Sequence, residues 1–122
     1  MAQKYIIDDI VMYKNRIHTI IDILASNGYE LSYVRHPVSP LRLSGVPITP
    51  EILEKNGWKD DGYDWYRLPT KRAYLYITKD MTTLGEFLVC VGLDRHNLAS
   101  INFVHQLQHL LFGLGLNSEM EV

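Results

Sequence analysis

IVMYKNRIHTIIDI, residues 10–23, can be read in two ways, and the choice decides the fold. Ile6, Ile10, Tyr13, Ile17, Ile21 and Leu24 recur at helical spacing, and Ser26-Asn27-Gly28 would close such a helix. The residue types argue the other way. Ile10, Val11, Ile17, Thr19, Ile20, Ile21 and Ile23 are β-branched, stiff at χ1 and better suited to a pleated sheet. Lys14-Asn15-Arg16 makes a polar turn between IVMY and IHTIID, and Asn27-Gly28 stands before YELSYV as in a hairpin. The stretch is therefore read as strands. It predicts a small antiparallel β unit over residues 1–46, with barrel-like closure as one form it can take.

Outward from this stretch the signals are plainer. PVSPLRLSGVP, residues 37–47, carries three prolines and a glycine and reads as extended chain and turns. Thr49-Pro50-Glu51 then starts a short helix. Thr49 can cap free N–H groups, Pro50 suits the first helical position, and Glu51 favours the positive end of the dipole. Asn56-Gly57 stops that helix after about two turns. DWYRL, AYLYIT and EFLVCVGL read as strands joined by polar turns, with Tyr74 and Tyr76 on one face and Ala73, Leu75 and Ile77 on the other. The last element is a helix over residues 102–116, with Asn117 at its left-handed exit.

The predicted fold class is α+β. It is a single compact domain of two sub-lobes, a β-rich lobe over 1–46 and a lobe over 47–122 in which an antiparallel meander packs on the C-terminal helix. In that packing Leu107, Leu110, Leu111 and Leu114 would meet Leu75, Ile77, Leu88 and Cys90 or their neighbours. The 122 residues suit one domain, and an apolar fraction of 47% with 21% charged residues is that of an ordinary globular protein. A net charge of −2 gives no electrostatic case for extended nucleic acid. Cys90 is the single cysteine and lies in the apolar run FLVCV, where a buried, inert thiol is expected. No apolar stretch approaches the ~18 residues of a membrane span. Asp8 and Asp9 interrupt what would be the apolar core of a signal peptide, so the expected location is cytoplasmic.

Three stretches taken together have a further resemblance. YIIDDIVMY with IHTII, then VPITPEILEKNGW, then INFVHQLQHLLF, resemble a group of small uncharacterised proteins of phages and mobile elements in Bacteroides-type bacteria. Thr49, Glu51, Leu53, Lys55, Gly57 and Trp58 match that group's T-x-E-x-L-x-K-x-G-aromatic helix. Val104, His105, Gln106, Leu107, Gln108, Leu110 and Phe112 match its C-terminal V-H-Q-L-Q-N-L-Y-F pattern. His109 and Leu111 depart from it, where the pattern has asparagine and tyrosine. The resemblance supports the β reading of residues 10–23 and implies a phage or mobile-element setting inside a bacterial host. It implies no activity and no catalytic residues.

Two groups of side chains are candidates for function. Advancing about 100° per residue, Phe103, Val104, Leu107, Leu110, Leu111 and Leu114 fall within one arc of about 120°. His105 and His109 fall nearly opposite, with Gln108 and Phe112 on the same outer side. A helical His-x-x-x-His pair can hold zinc, but zinc takes three or four protein ligands, and Gln106 stands where a zinc protease carries its glutamate. No metal and no cofactor is assigned. His105, Gln108, His109 and Phe112 form instead a face that is covered either by the N-terminal lobe or by a partner, a second copy included. The second group is Trp65, Tyr66, Arg67, Lys71, Arg72, Tyr74 and Tyr76, joined by Arg95 in the polar loop Asp94-Arg95-His96. Aromatic rings alternating with guanidinium groups can stack on a base and hold phosphates, although tyrosines are also ordinary strand residues. Asp60-Asp61 and Asp8-Asp9 read as solvated turn residues rather than acid–base pairs. No phosphate loop, nucleophile elbow or metalloprotease motif is present.

The expected function is non-enzymatic binding of a host factor or of a small nucleotide-type signal, with antagonism of host defence as one such role and homo-oligomer formation as one partner state. Two alternatives stand beside it: a small metal-dependent hydrolase using His105, His109 and a distant acid, and a purely structural role in assembly.

Overall fold

The computed structural model describes residues 5–26, 28–79 and 86–122. The elements in chain order are β1 (Ile10–Tyr13), β2 (Arg16–Ile23), β3 (Tyr29–Leu31), a 3₁₀ turn (Pro40–Arg42), β4 (Ser44–Gly45), α1 (Pro50–Lys55), β5 (Lys59–Gly62), β6 (Trp65–Pro69), β7 (Tyr74–Lys79), β8 (Phe87–Val91), β9 (His96–Ile101) and α2 (Val104–Gly113). They group into two compact units, Met1–Pro47 with Phe103–Met120, and Ile48–Asn102 with Glu121–Val122.

In the first unit the strand reading of residues 10–23 holds. β1 and β2 pair antiparallel from Ile10↔Thr19 to Tyr13↔Arg16. Lys14 and Asn15 between them both take positive φ, 49° and 63°, as a two-residue type I′ turn requires. The helical spacing of the isoleucines was coincidental. The sheet runs β3-β2-β1-β4 and is open, with β3 and β4 at its ends, rather than a closed barrel. Val11, Tyr13, Ile20, Tyr29, Leu31, Val38 and Leu43 form its core with Tyr5. Asn27, expected in the hairpin turn, lies outside the described residues.

Where β4 meets β1, at Val11↔Gly45, the Phe103 ring lies so close that a Cβ on Gly45 would stand 2.3 Å from its Cγ. Gly45→Ala must therefore displace the ring. It is expected to cost about 1–3 kcal/mol, as overpacking of a filled site does. A double-mutant cycle with Phe103→Ala, read by urea denaturation, should show the pair costing clearly less than the sum of the singles. Strict additivity would mean that the ring does not set the requirement for glycine.

α2 corrects the expected packing, because it belongs to the first unit and contacts β1, whereas the sequence had placed it on the meander. The division at residue 46 and the lobe over 47–122 give way accordingly. Val104, His105, Leu107, Gln108 and Leu111 are its buried residues, while Leu114, expected in the core, is its 43%-exposed C-cap. The exit lies at Gly115 rather than Asn117. Gly115, at φ 73°, donates to the Phe112 carbonyl, and the Leu116 N–H reaches back to Leu111 in a Schellman closure. α1 ends in the same way through Gly57 at φ 89°, with the Trp58 N–H bonded to the Leu53 carbonyl. Its start is also as predicted, the Thr49 hydroxyl accepting from the Ile52 N–H.

The second unit is a five-stranded meander in the order β5-β6-β7-β8-β9. β5 and β9 were not foreseen. KDDG has no strand character of its own and is extended through its pairing with β6. Leu75 and Ile77 oppose Val91 and Val89, and Leu75, Ile77, Val89 and Ile101 are buried. Thr78 opposes Leu88 and Tyr76 opposes Cys90. Leu88 and Cys90 thus lie on the face of the tyrosines, not with Leu75 and Ile77 as expected. Cys90 is buried, and burial pushes its thiol up in pKa while the Arg95 charge acts weakly against this. No helix among the described residues is long and apolar enough to cross a membrane.

Candidate functional site

On the tyrosine face of the second unit, the β6–β7 register sets Trp65 opposite Thr78, Arg67 opposite Tyr76 and Pro69 opposite Tyr74. The side chains of alternate residues on both strands therefore stand on one surface. Arg95, from the β8–β9 turn, lies over two rings at once, 4.4 Å from the Trp65 centroid and 4.9 Å from that of Tyr76. Its own φ of 51° helps to turn it back across the sheet. Arg67 lies 5.4 Å over the Tyr74 ring. Tyr76 meets Trp65 edge-on at 6.3 Å and lies at the same centroid distance from Tyr74. These contacts fall within the range of cation–π and aromatic attraction.

The carboxylate of Asp61 completes the cluster, 3.6 Å from Arg67 Nε and 3.4 Å from Arg95 Nη2. The sequence had given Asp61 a solvated turn role. Pairing with β6 places it instead, since Lys59 opposes Arg67 and alternation sets Asp61 on the same face, where the shift from Asp60↔Tyr66 to Gly62↔Trp65 leaves it as the extra residue of a β-bulge. The Asp60 side chain holds the bulge by accepting from the Gly62 N–H at 2.8 Å.

Of the eight residues in this group, Trp65, Arg67, Tyr74, Tyr76 and Arg95 come together, while Tyr66, opposite Ile77, lies on the other face of the sheet. Lys71 and Arg72 do not join the stack. They rim a hollow of about 400 Å³ at the β6–β7 turn, lined also by Pro69, Thr70, Tyr74, Gly92 and Leu93. Tyr74 is shared by both surroundings. The Thr70 hydroxyl accepts from the Arg72 and Ala73 N–H groups and fixes this turn.

The four candidates on α2 are placed differently from one another. His105 and Gln108 are buried within the first unit. The His105 ring lies 4.9 Å from that of Tyr5 and stacks on Phe103 at 5.8 Å. Gln108 uses its whole amide, accepting from the Ile10 N–H and donating to the Asp8 and Ser118 carbonyls. The cover on these two residues is thus the N-terminal segment, one of the two covers the sequence had left open. Phe112 is 69% exposed.

His109 brings out a residue that sequence reasoning misassigned. Its Nε2 lies 2.8 and 3.0 Å from the two oxygens of Asp9, whose carboxylate also accepts from the Ile6 N–H. Asp9 is 1% exposed and is not a solvated turn residue. Burial raises its pKa above the ordinary carboxylate range, against the lowering effect of the Ile6 and His109 hydrogen bonds. No signal in YIIDDI separates the two aspartates. What distinguishes them is tertiary, Asp8 being turned outward at φ 75° and Asp9 inward beneath α2. The pair forms the floor of a hollow of about 360 Å³ walled by Ile6, Ile7, Ile23 and Phe112. No three His, Cys, Asp or Glu side chains among the described residues converge in a way that could hold a metal ion. Comparisons with family models, with curated proteins and with solved structures gave no match.

Proposed function

We propose that this chain is a non-enzymatic binding protein that sequesters a small nucleotide-type ligand on the Trp65–Tyr74–Tyr76 face. The observation that carries the reading is the convergence of three rings and two partly exposed guanidinium groups on one sheet face, where Tyr74 is exposed and Tyr76 is buried beneath Arg95. Rings give a base a stacking surface, and Arg67 and Arg95 supply the donors that phosphate oxygens take. One or two cations suffice for so small an anion, so the net charge of −2 is no obstacle. The phage or mobile-element setting and a cytoplasmic location rest on the sequence resemblance and complete the proposal.

Equilibrium binding to cyclic and ADP-ribose-type nucleotides tests it. Stacking is worth about 1–3 kcal/mol per base, so Tyr74→Ala should weaken binding about 5- to 100-fold with the fold intact. Absence of binding to every nucleotide by a folded protein would remove the ligand and leave a protein partner as the reading. The Asp9–His109 pair is the observation that favours the hydrolase alternative, since it offers an oriented base. No third His, Cys, Asp or Glu joins the pair to make a metal site among the described residues.

A further inference from the structure

We infer that Asp61 is a built-in competitor for the ligand's anionic group, holding the place between Arg67 and Arg95 that a pyrophosphate would take. The inference rests on the nucleotide reading of this face. Well-seated charge-assisted N–H···O bonds are about 2.7–2.9 Å long. Those of Asp61, at 3.6 and 3.4 Å, are looser, and each engages a single nitrogen of its arginine. The arginine side chains remain 43% and 41% exposed, so both are within reach of a ligand from solvent. The stacked rings meanwhile hold the guanidinium planes in position.

Alternation along β5 gives this placement, since Lys59 opposes Arg67 and Asp61, two residues on, stands on the face of the arginines. One carboxylate against two guanidinium groups leaves the cluster with a single positive charge. An uncharged nucleoside gains nothing there beyond stacking. A pyrophosphate, with two negative charges, can bridge both arginines and displace Asp61 outward. The ligand class is therefore a nucleotide with a flat base and a pyrophosphate, and Asp61 sets the threshold of charge that it must carry.

The test compares wild type, Asp61→Asn and Asp61→Ala by calorimetric titration with ADP-ribose, with adenosine as the uncharged control. Removing a partly exposed ionic competitor should tighten ADP-ribose binding about three- to tenfold in both variants and leave adenosine unchanged. Binding detected only in the variants supports the inference equally. If wild type binds ADP-ribose and neither variant binds it more tightly, the competitor role is overturned while the nucleotide site stands. Tighter binding of adenosine in step with ADP-ribose also overturns it, because charge would not then be the cause. If no nucleotide of the panel binds to wild type or to either folded variant, the site reading falls together with the inference.

Discussion

Leu107→Asp will abolish folding of the first unit. Leu107 is fully buried at the middle of α2. Burial of a leucine side chain contributes about 1.5–3 kcal/mol, and an unpaired carboxylate in its place adds several more in desolvation. That total approaches the whole stability of an ordinary domain, about 5–15 kcal/mol. Leu114→Asp is the matched control, since residue 114 caps the helix at 43% exposure. A substitution there should cost no more than about 1 kcal/mol. Hydrogen exchange decides which partner α2 stabilises. Protection should be lost in β1 and β2 as well as in α2 itself, because the helix belongs to the unit that those strands build. Loss confined to β6–β8 would instead restore the packing expected from sequence, and a cooperatively folded Leu107→Asp protein would refute either placement.

The contrast between those two packings shows what the sequence could and could not convey. Strand identity was legible because β-branched residues and a type I′ turn are local properties, as at Ile17–Ile23 and Lys14-Asn15. The helix starts and stops were legible because capping is local too. The leucine arc told which residues of α2 share a side, but an arc carries no information about which sheet it meets. It also understated the buried part of the helix. Gln108 is polar in type yet buried, since burial of a polar side chain is tolerated once its hydrogen bonds are made, and His105 is buried among the Tyr5 and Phe103 rings. The Gln108 bonds to Ile10 and Asp8 reach residues about a hundred positions away, as do the ones joining Asp9 to His109. Arg95 was grouped with the aromatic strands on chemistry alone, while Asp61 was missed because nothing local in KDDG marks it as a strand paired with β6.

Gln108→Leu should be nearly as damaging as a core truncation although it keeps volume and adds apolar surface. The Gln108 amide accepts from the buried Ile10 N–H at 2.9 Å and also donates to the Asp8 and Ser118 carbonyls at 3.1 and 3.2 Å. Leucine can replace none of these bonds. A buried polar group left unsatisfied costs about 1–3 kcal/mol, so the expected loss is about 2–5 kcal/mol in urea denaturation. The carbonyls can turn toward solvent more easily than the Ile10 amide, which lies in β1 beneath the helix. Faster hydrogen exchange at that amide, with β5–β9 unchanged, is therefore the specific signature. Gln108→Glu separates hydrogen bonding from polarity. It keeps the acceptor for Ile10 but loses both donors and sets a charge against the Asp8 carbonyl and beside the buried Asp9 carboxylate. It should be at least as destabilising at neutral pH and recover part of the loss as the pH falls and the new carboxyl is protonated. A Gln108→Leu protein within about 0.5 kcal/mol of wild type would mean that the amide does not tie the N-terminal segment to α2, and that packing alone holds them together.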